Sequence, residues 1–387
     1  MLTLEYKLRG RPAQWAAVNE AIRTVQFIRN TCLRLWMDGR DGHHITANDL
    51  QRHCAVLAGR FSFVATLNSQ ARQQAADRAW AAISRFYANC KAKRPGKKGY
   101  PRFHRHCRSV EYKVTGWKLE PDGRHITFTD RHGIGRLRLV GTRRTRSIET
   151  FPVEQIKRVR LVRRADGYYV QFCVQAERRI AHSPTGKRLG IDVGLAAFVT
   201  DSEGVSVPNP RYLRQAERRL KRLHRRVSRK RKGSKNRRKA RQRLAKAYLH
   251  VSRQREDHAR KLAGALISSC DWIAYEDVQV RNLVKNRHLA KSISDASWAR
   301  FLWWVAHDAQ AAGVVAVAVS PQWTSQDCSG CGRRVQKSLS VRTHRCPHCG
   351  LVLDRDHNAA LNILRASSAS SASSASSVSY TSNRTAG

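Results

Sequence analysis

Between residues 221 and 246 the chain carries fifteen Lys or Arg in 26 positions and no acidic residue. Like charges at that density repel along a helix and cannot enter a core, so the segment must lie on a face neutralised by a polyanion. Gly233-Ser234 interrupts it, which predicts two basic helices joined by a turn. The imbalance extends to the whole chain: 74 Lys and Arg against 28 Asp and Glu leave a formal charge of +46. Nucleic acid is the polyanion this implies, held at its phosphates by Arg225, Arg226, Arg229, Lys230, Arg237 and Arg238. Such contacts follow a backbone without choosing a sequence. Membrane binding is the weaker reading, because no run of about 18 apolar residues exists and no amphipathic segment sets a bulky apolar face beside a basic one.

A chain of 387 residues, 41% of them apolar, exceeds what one core organises, so two or three domains are expected. The opening stretch Leu2-Thr3-Leu4-Glu5-Tyr6-Lys7-Leu8 alternates with the period of a strand. Apolar residues at helical spacing then run from Pro12 to Met37 and from Ser69 to Tyr87, which makes residues 11–99 a small helical domain. Short β-rich runs broken by Asp122-Gly123, Gly133 and Asp166-Gly167 fill residues 100–181 and predict a β-barrel or sandwich. The first strand is expected to join that sheet, with residues 11–99 as a helical insertion. From residue 182 the pattern is α/β, with strands over 187–193, 196–200, 205–207, 272–275 and 314–319. Residues 366–387 are Ser/Ala repeats with no apolar periodicity and are expected to form a disordered tail.

Cys328-Ser-Gly-Cys331 and Cys346-Pro-His-Cys349 are two CxxC knuckles with fourteen residues between them, each followed by glycine. Four thiolates at that spacing predict a closed, structural zinc site with no position for a catalytic water. Arg333, Arg334 and Lys337 are carried on it toward nucleic acid, with His344 and His348 as bystanders. The remaining six of the ten cysteines are scattered singly. Together with the absence of a secretory pattern at the N-terminus, this reads as a reducing, cytoplasmic protein.

Three acids stand at ends of elements. Asp192 ends the strand Leu189-Gly190-Ile191, Glu276 ends Trp272-Ile273-Ala274-Tyr275, and Asp356 lies in the first turn of a helix. Singly, each reads more simply as a turn former or cap. Taken together they offer the hard oxygen ligands that two magnesium ions need for phosphodiester hydrolysis. Asp354 is the rival to Asp356, and Asp277 adjoins Glu276.

The chain order of strand-end Asp, strand-end Glu and helix-start Asp resembles RNase H-like, RuvC-type nucleases. The ordered motifs GIDVGLAAFVTDSEG, IAYEDVQVRNLVKN, TSQDCSGCG, CPHCG and DRDHNAALNIL resemble the TnpB (OrfB) family of transposon-encoded nucleases, relatives of type V CRISPR effectors. The motifs cover residues 187–365; toward the N-terminus only the architecture and Pro101-Arg102-Phe103 match. The resemblance implies a multidomain α+β protein. Its parts would be a β-barrel wedge domain (1–10 and 100–181), a helical recognition domain (11–99), a RuvC-like nuclease domain (182–326 and 351–365) and a zinc ribbon (327–350). It places catalysis and magnesium or manganese on Asp192, Glu276 and Asp356, and zinc on Cys328, Cys331, Cys346 and Cys349. It further implies a guide RNA from the transposon end, double-stranded target DNA cut beside a short adjacent motif, and a monomer. Gln70, Gln73 and Gln74 would read that motif. The competing readings are a cleavage-silent RNA-guided repressor, a transposase, and a ribosomal-type RNA-binding protein.

Overall fold

The computed structural model describes residues 1–39, 44–141, 148, 151–338 and 340–374, with side chains through residue 368. The chain divides into two compact units, Met1–Arg178 and Arg179–Gly387.

In the first unit, β1 (Leu2–Arg9) leads into the helices α1 (Pro12–Asp38), α2 (Ala47–Arg60), α3 (Ser62–Ala65) and α4 (Ser69–Lys91). The strands β2 (Ser109–Tyr112), β3 (Trp117–Leu119), β4 (His125–Phe128), β5 (Gly135–Val140), β6 (Ile156–Arg164) and β7 (Gly167–Val174) follow. They form one antiparallel sheet in the order β2-β6-β7-β1-β5-β4-β3. Thus β1 lies at its centre, Leu4 opposite Phe172 on one side and Leu8 opposite Leu139 on the other. The helices are an excursion between β1 and β2. Among the described residues β2 and β3 do not pair with each other, so of the barrel or sandwich that the turn pattern predicts, the hydrogen-bonded order shows one open sheet. One contiguous core joins sheet and helices through Ile22, Ile28, Leu33, Ile83, Ile126, Leu161 and Phe172. Glu111 is buried there and is offset by Arg78 at 2.9 Å, with Arg158 and Arg160 also on its carboxylate.

The second unit starts with β8 (Arg188–Val193), β9 (Ala197–Asp201) and β10 (Ser206–Pro208), then the basic pair α5 (Tyr212–Ser228) and α6 (Lys235–Ser269). Next come β11 (Trp272–Glu276), α7 (Val280–Leu283), α8 (Ala290–Ala296), α9 (Trp298–Ala312), β12 (Val315–Val319), β13 (Thr343–Arg345), β14 (Val352–Asp354) and α10 (Arg355–Ser374). The five-stranded sheet runs β10-β9-β8-β11-β12. Its first three strands are antiparallel, while β11 lies parallel to both β8 and β12. Turn residues link the antiparallel strands directly, whereas each parallel step requires a helical crossover, which α5 and α6 supply before β11 and α9 before β12.

One helix lies directly on the sheet. A Cβ at Gly190 would come within 2.2 Å of the Ala360 carbonyl oxygen and 2.8 Å of Leu364 Cβ. Only glycine therefore lets α10 reach β8 at this distance. We expect Gly190→Ala to cost about 3 kcal/mol and to lower the Tm of this unit by roughly 6–12 °C in a thermal melt. An unchanged melt would show that α10 can move off the strand at little cost.

The basic pair is tied to the body by Asp295 of α8, which is 4% exposed. Its carboxylate accepts from the first-turn amides of Leu213 (2.8 Å) and Arg214 (3.1 Å) in α5 and from Arg255 Nη2 of α6 (2.8 Å). A negative group at a helix N-terminus offsets its unpaired amides. At its other end α10 departs from the sequence reading. The helix continues to Ser374, past the expected tail start at 366, because Ser367 is buried and its hydroxyl accepts from Trp272 Nε1 at 3.1 Å. Residues 375–387 lie outside the described residues. Among the described residues no helix is long and apolar enough to cross a membrane.

Candidate functional site

The register of β11 against β8 sets Tyr275 opposite Ile191, so the next positions, Glu276 and Asp192, come side by side at the carboxyl ends of two parallel strands. Parallel strands present their carboxyl ends on one edge, where ligand sites of open α/β sheets form. The third acid arrives on α10, fixed by that helix's contact with Gly190. A Cβ at Gly194, just past Asp192, would stand 3.4 Å from Asp356 Oδ2.

The electrostatics show Asp192 under the influence of the other two acids. The Asp192 carboxyl is pushed well above the usual carboxylate range, first by burial and then by the negative charges of Glu276 and Asp356. Burial raises Glu276 as well, against the Thr324 hydroxyl that donates to its Oε1. Burial also raises Asp356, opposed by Arg342, whose Nη1 lies 3.3 Å from both carboxylate oxygens. Arg355 lowers all three. Three carboxylates held together against their own repulsion form a hard-oxygen donor set, which fits magnesium or manganese.

The rivals point elsewhere. Asp354 Oδ1 accepts from the amides of Asp356 (2.8 Å) and His357 (3.2 Å), which makes it the N-cap of α10. Asp277 is hydrogen bonded to Gln279 at 3.1 Å. We expect Asp354→Ala to cost about 1 kcal/mol of stability without touching chemistry. Asp356→Ala should do the reverse, and melting curves beside nuclease assays on the two proteins separate the roles.

The four cysteines converge. Their sulfurs all lie within 4.8 Å of one another, with Cys328–Cys349 and Cys331–Cys346 each at 3.6 Å. A disulfide would set sulfurs about 2.05 Å apart, whereas a zinc with four sulfurs at about 2.3 Å has tetrahedral edges of about 3.8 Å. The donor set and spacing therefore fit structural zinc. Burial raises the Cys346 thiol, but the amides of His348 and Cys349 and the sulfurs of Cys349 and Cys331 outweigh it and bring the thiol down to about 6, while the Cys349 thiol beside it is pushed up to about 12. Among the described residues this is the one group of three or more His, Cys, Asp or Glu drawn together so tightly; the carboxylates are spread more widely.

Residues that the sequence reading did not single out connect ribbon to carboxylates. Asn358 and Asn362, one turn apart on α10, reach the loop that enters the ribbon. Asn358 Nδ2 donates to the Asp327 carbonyl (2.8 Å) and its Oδ1 accepts from the Ser329 amide (2.9 Å). Asn362 Nδ2 donates to the Thr324 carbonyl at 2.9 Å. The helix that carries Asp356 thus also positions the hydroxyl that holds Glu276. The i, i+4 spacing of the two asparagines was the available signal; their loop partner was not.

Of the expected nucleic-acid contacts, Arg225, Arg226, Arg229, Lys230 and Arg238 are exposed on and between α5 and α6. Arg237 is half-buried, its Nη1 donating to the Lys230 carbonyl at 3.0 Å and closing the turn. Of the glutamines of α4, Gln74 needs correction. Gln74 is 8% exposed among Ala71, Ala75 and Ala76 on the packed face, and Gln70 Oε1 accepts from the Thr115 amide at 2.9 Å. The helical period turns Gln74 inward, so it does not present its amide to a base edge; Gln73 stays half-exposed.

Residues 171–287 match the OrfB_IS605 family model, described as "Probable transposase", and residues 298–363 match the Cas12f1-like TNB domain. A "Putative RNA-guided DNA endonuclease" of Streptomyces pristinaespiralis is 37% identical over 210 residues, 53% of this chain and 51% of that protein. The chain thus spans about half the length of that relative. The "Putative RNA-guided DNA endonuclease InsQ" of Escherichia coli (strain K12) is 26% identical over 304 residues, 74% of this chain and 72% of that protein. Among solved structures, Cas12f1 in a complex with sgRNA and target DNA aligns with a TM-score of 0.54 at 14% identity, over 91% of this chain and 82% of that one. At that identity the likeness is one of fold, a multidomain α+β architecture.

Proposed function

We propose that this chain, which belongs to the TnpB (OrfB) family, is an RNA-guided, metal-dependent DNA endonuclease whose chemistry resides at Asp192, Glu276 and Asp356. The observation that carries the reading is geometric: the parallel register sets Asp192 and Glu276 side by side at the carboxyl edge of the second sheet, and α10 brings Asp356 to the same edge. A structural cap or turn former has no reason to be kept in such company. The strand order β10-β9-β8-β11-β12 supports a RuvC-like, RNase H-type domain, and the first unit supports a wedge sheet with a helical recognition insertion.

Asp192, Glu276 and Asp356 would hold magnesium or manganese, which would supply activation of water and stabilisation of the leaving oxygen in phosphodiester hydrolysis. Thr324 orients Glu276. Arg342 supplies a countercharge to Asp356. The exposed arginines of α5 and α6 hold the sugar-phosphate backbone, and pairing with a transposon-end RNA selects the target sequence. The setting is the prokaryotic cytoplasm, with a monomer as the working unit.

A transposase that joins strands is the second reading, favoured by the description of the matched family model. Incubating the protein and its flanking RNA with a matched plasmid decides between them. The nuclease reading expects magnesium-dependent linearisation that a mismatched guide abolishes. Joined products would favour the transposase, and guide-dependent binding without cutting would point to a repressor.

A further inference from the structure

Beside the carboxylates stands an aromatic side chain with no role in the chemistry above. Trp323 has φ +68°, a left-handed backbone that a bulky L-residue rarely adopts, yet its ring is 41% exposed. The turn is fixed on both sides. The Trp323 carbonyl accepts from the amides of Gln326 and Asp327, each at 2.9 Å, and the next residue, Thr324, is buried with its hydroxyl on Glu276. Strained conformations of this kind persist where the surrounding structure over-determines them, which is common at ligand sites.

The ribbon adds a second observation. Arg334 is anchored by its Nε to Asp327 Oδ1 at 3.0 Å, and its guanidinium lies 3.9 Å from the centre of the Trp323 ring. Trp323 also lines an open pocket of about 440 Å³ with Gln326, Gln336, Lys337 and Ser338. An exposed indole backed by a guanidinium, in a pocket lined by amides, a hydroxyl and a lysine, is the chemistry that receives an unpaired nucleobase.

We infer that Trp323 and Arg334 form a stacking seat for one unpaired base of the DNA strand being cut, holding that strand at the mouth of the carboxylate site. The inference rests on the nuclease reading above and deepens it by assigning a strand-positioning residue. Stacking is indifferent to base identity, so the seat suits an enzyme whose sequence choice is delegated to a guide. It also explains why a residue joined to the Glu276 partner is exposed rather than packed.

The test uses the full-length, zinc-loaded protein and a single-stranded DNA decamer carrying one 2-aminopurine, whose fluorescence falls on stacking. Wild type and Trp323→Phe should quench the probe. Trp323→Ala should lose the quenching, bind roughly five- to a hundredfold more weakly, and raise KM for plasmid cleavage more than it lowers kcat. Zinc content and melting temperature should not change. Equal quenching by Trp323→Ala would overturn the inference. So would failure of Trp323→Phe together with loss of zinc, which marks a purely structural role. An RNA decamer that depends on Trp323 while the DNA decamer does not would overturn the assignment to the cut strand. Quenching by a wild-type protein that never cuts would refute the nuclease reading while leaving the seat in place.

Discussion

Asp192→Asn should abolish cleavage while leaving guide RNA binding at the wild-type level. Outer-shell substitutions around metal sites cost about 10- to 100-fold, so removing a ligand shared by the reacting centre should cost about a thousandfold or more. The basic helices α5 and α6 are held by Asp295 and do not depend on Asp192. The same substitution should stabilise the fold where magnesium is absent. Because the Asp192 carboxyl is raised in the folded state, the native protein holds that proton to higher pH than the unfolded chain. Its repulsion is therefore absent below the ordinary carboxylate value of about 3.9, and stability falls as pH rises through the raised value. At neutral pH in zinc-replete, magnesium-free buffer, Asp192→Asn should melt above wild type, and below about pH 4 the difference should vanish. A variant that melts lower at neutral pH would place the acid in a stabilising pair rather than a repelling cluster.

Removing zinc should have the next largest effect. Apparent binding energies of four-ligand structural zinc sites are about 10–16 kcal/mol, far more than β13 and β14 can supply from their short ladder. Cys346→Ser or chelation should therefore unfold residues 327–350, seen as loss of bound zinc and new proteolytic cuts there. Cleavage should fail with it, since the loop that carries Thr324 to Glu276 is anchored to the ribbon entry through Asn358 and Asn362. Guide RNA binding by α5 and α6 should survive. Full cleavage by a zinc-free protein would show that the carboxylates are positioned without the ribbon.

What the sequence made legible follows from which forces are local. The strands ending in Asp192 and Glu276 were readable to within a residue because apolar runs and turn residues lie next to each other in the chain. The knuckles were readable because CxxC spacing is a local constraint of zinc geometry. The choice between Asp354 and Asp356 rested on the family resemblance, because both suit a helix start; that Asp354 caps α10 is a backbone contact no local pattern separates from the alternative. Among the glutamines of α4, the inward turn of Gln74 was hidden for the opposite reason. Their polar type argued for a surface, while the packing of Ala71, Ala75 and Ala76 turned Gln74 inward. The Ser367 hydroxyl that extends α10 depends on Trp272, a partner 95 residues away, and no local pattern announces it. Thr324 and Arg342 were missed likewise, since each acts on a carboxylate distant in sequence.

The measurement that bears most directly on the central claim is the rate at which a matched, supercoiled plasmid is linearised by four guide-loaded proteins in one magnesium buffer. These are the wild type, Asp192→Asn, Asp356→Asn and Asp354→Asn. Wild type and Asp354→Asn should cut at comparable rates, while Asp192→Asn and Asp356→Asn should bind guide RNA and leave the plasmid intact. Linearisation by Asp192→Asn at the wild-type rate would contradict a nuclease site built on these carboxylates.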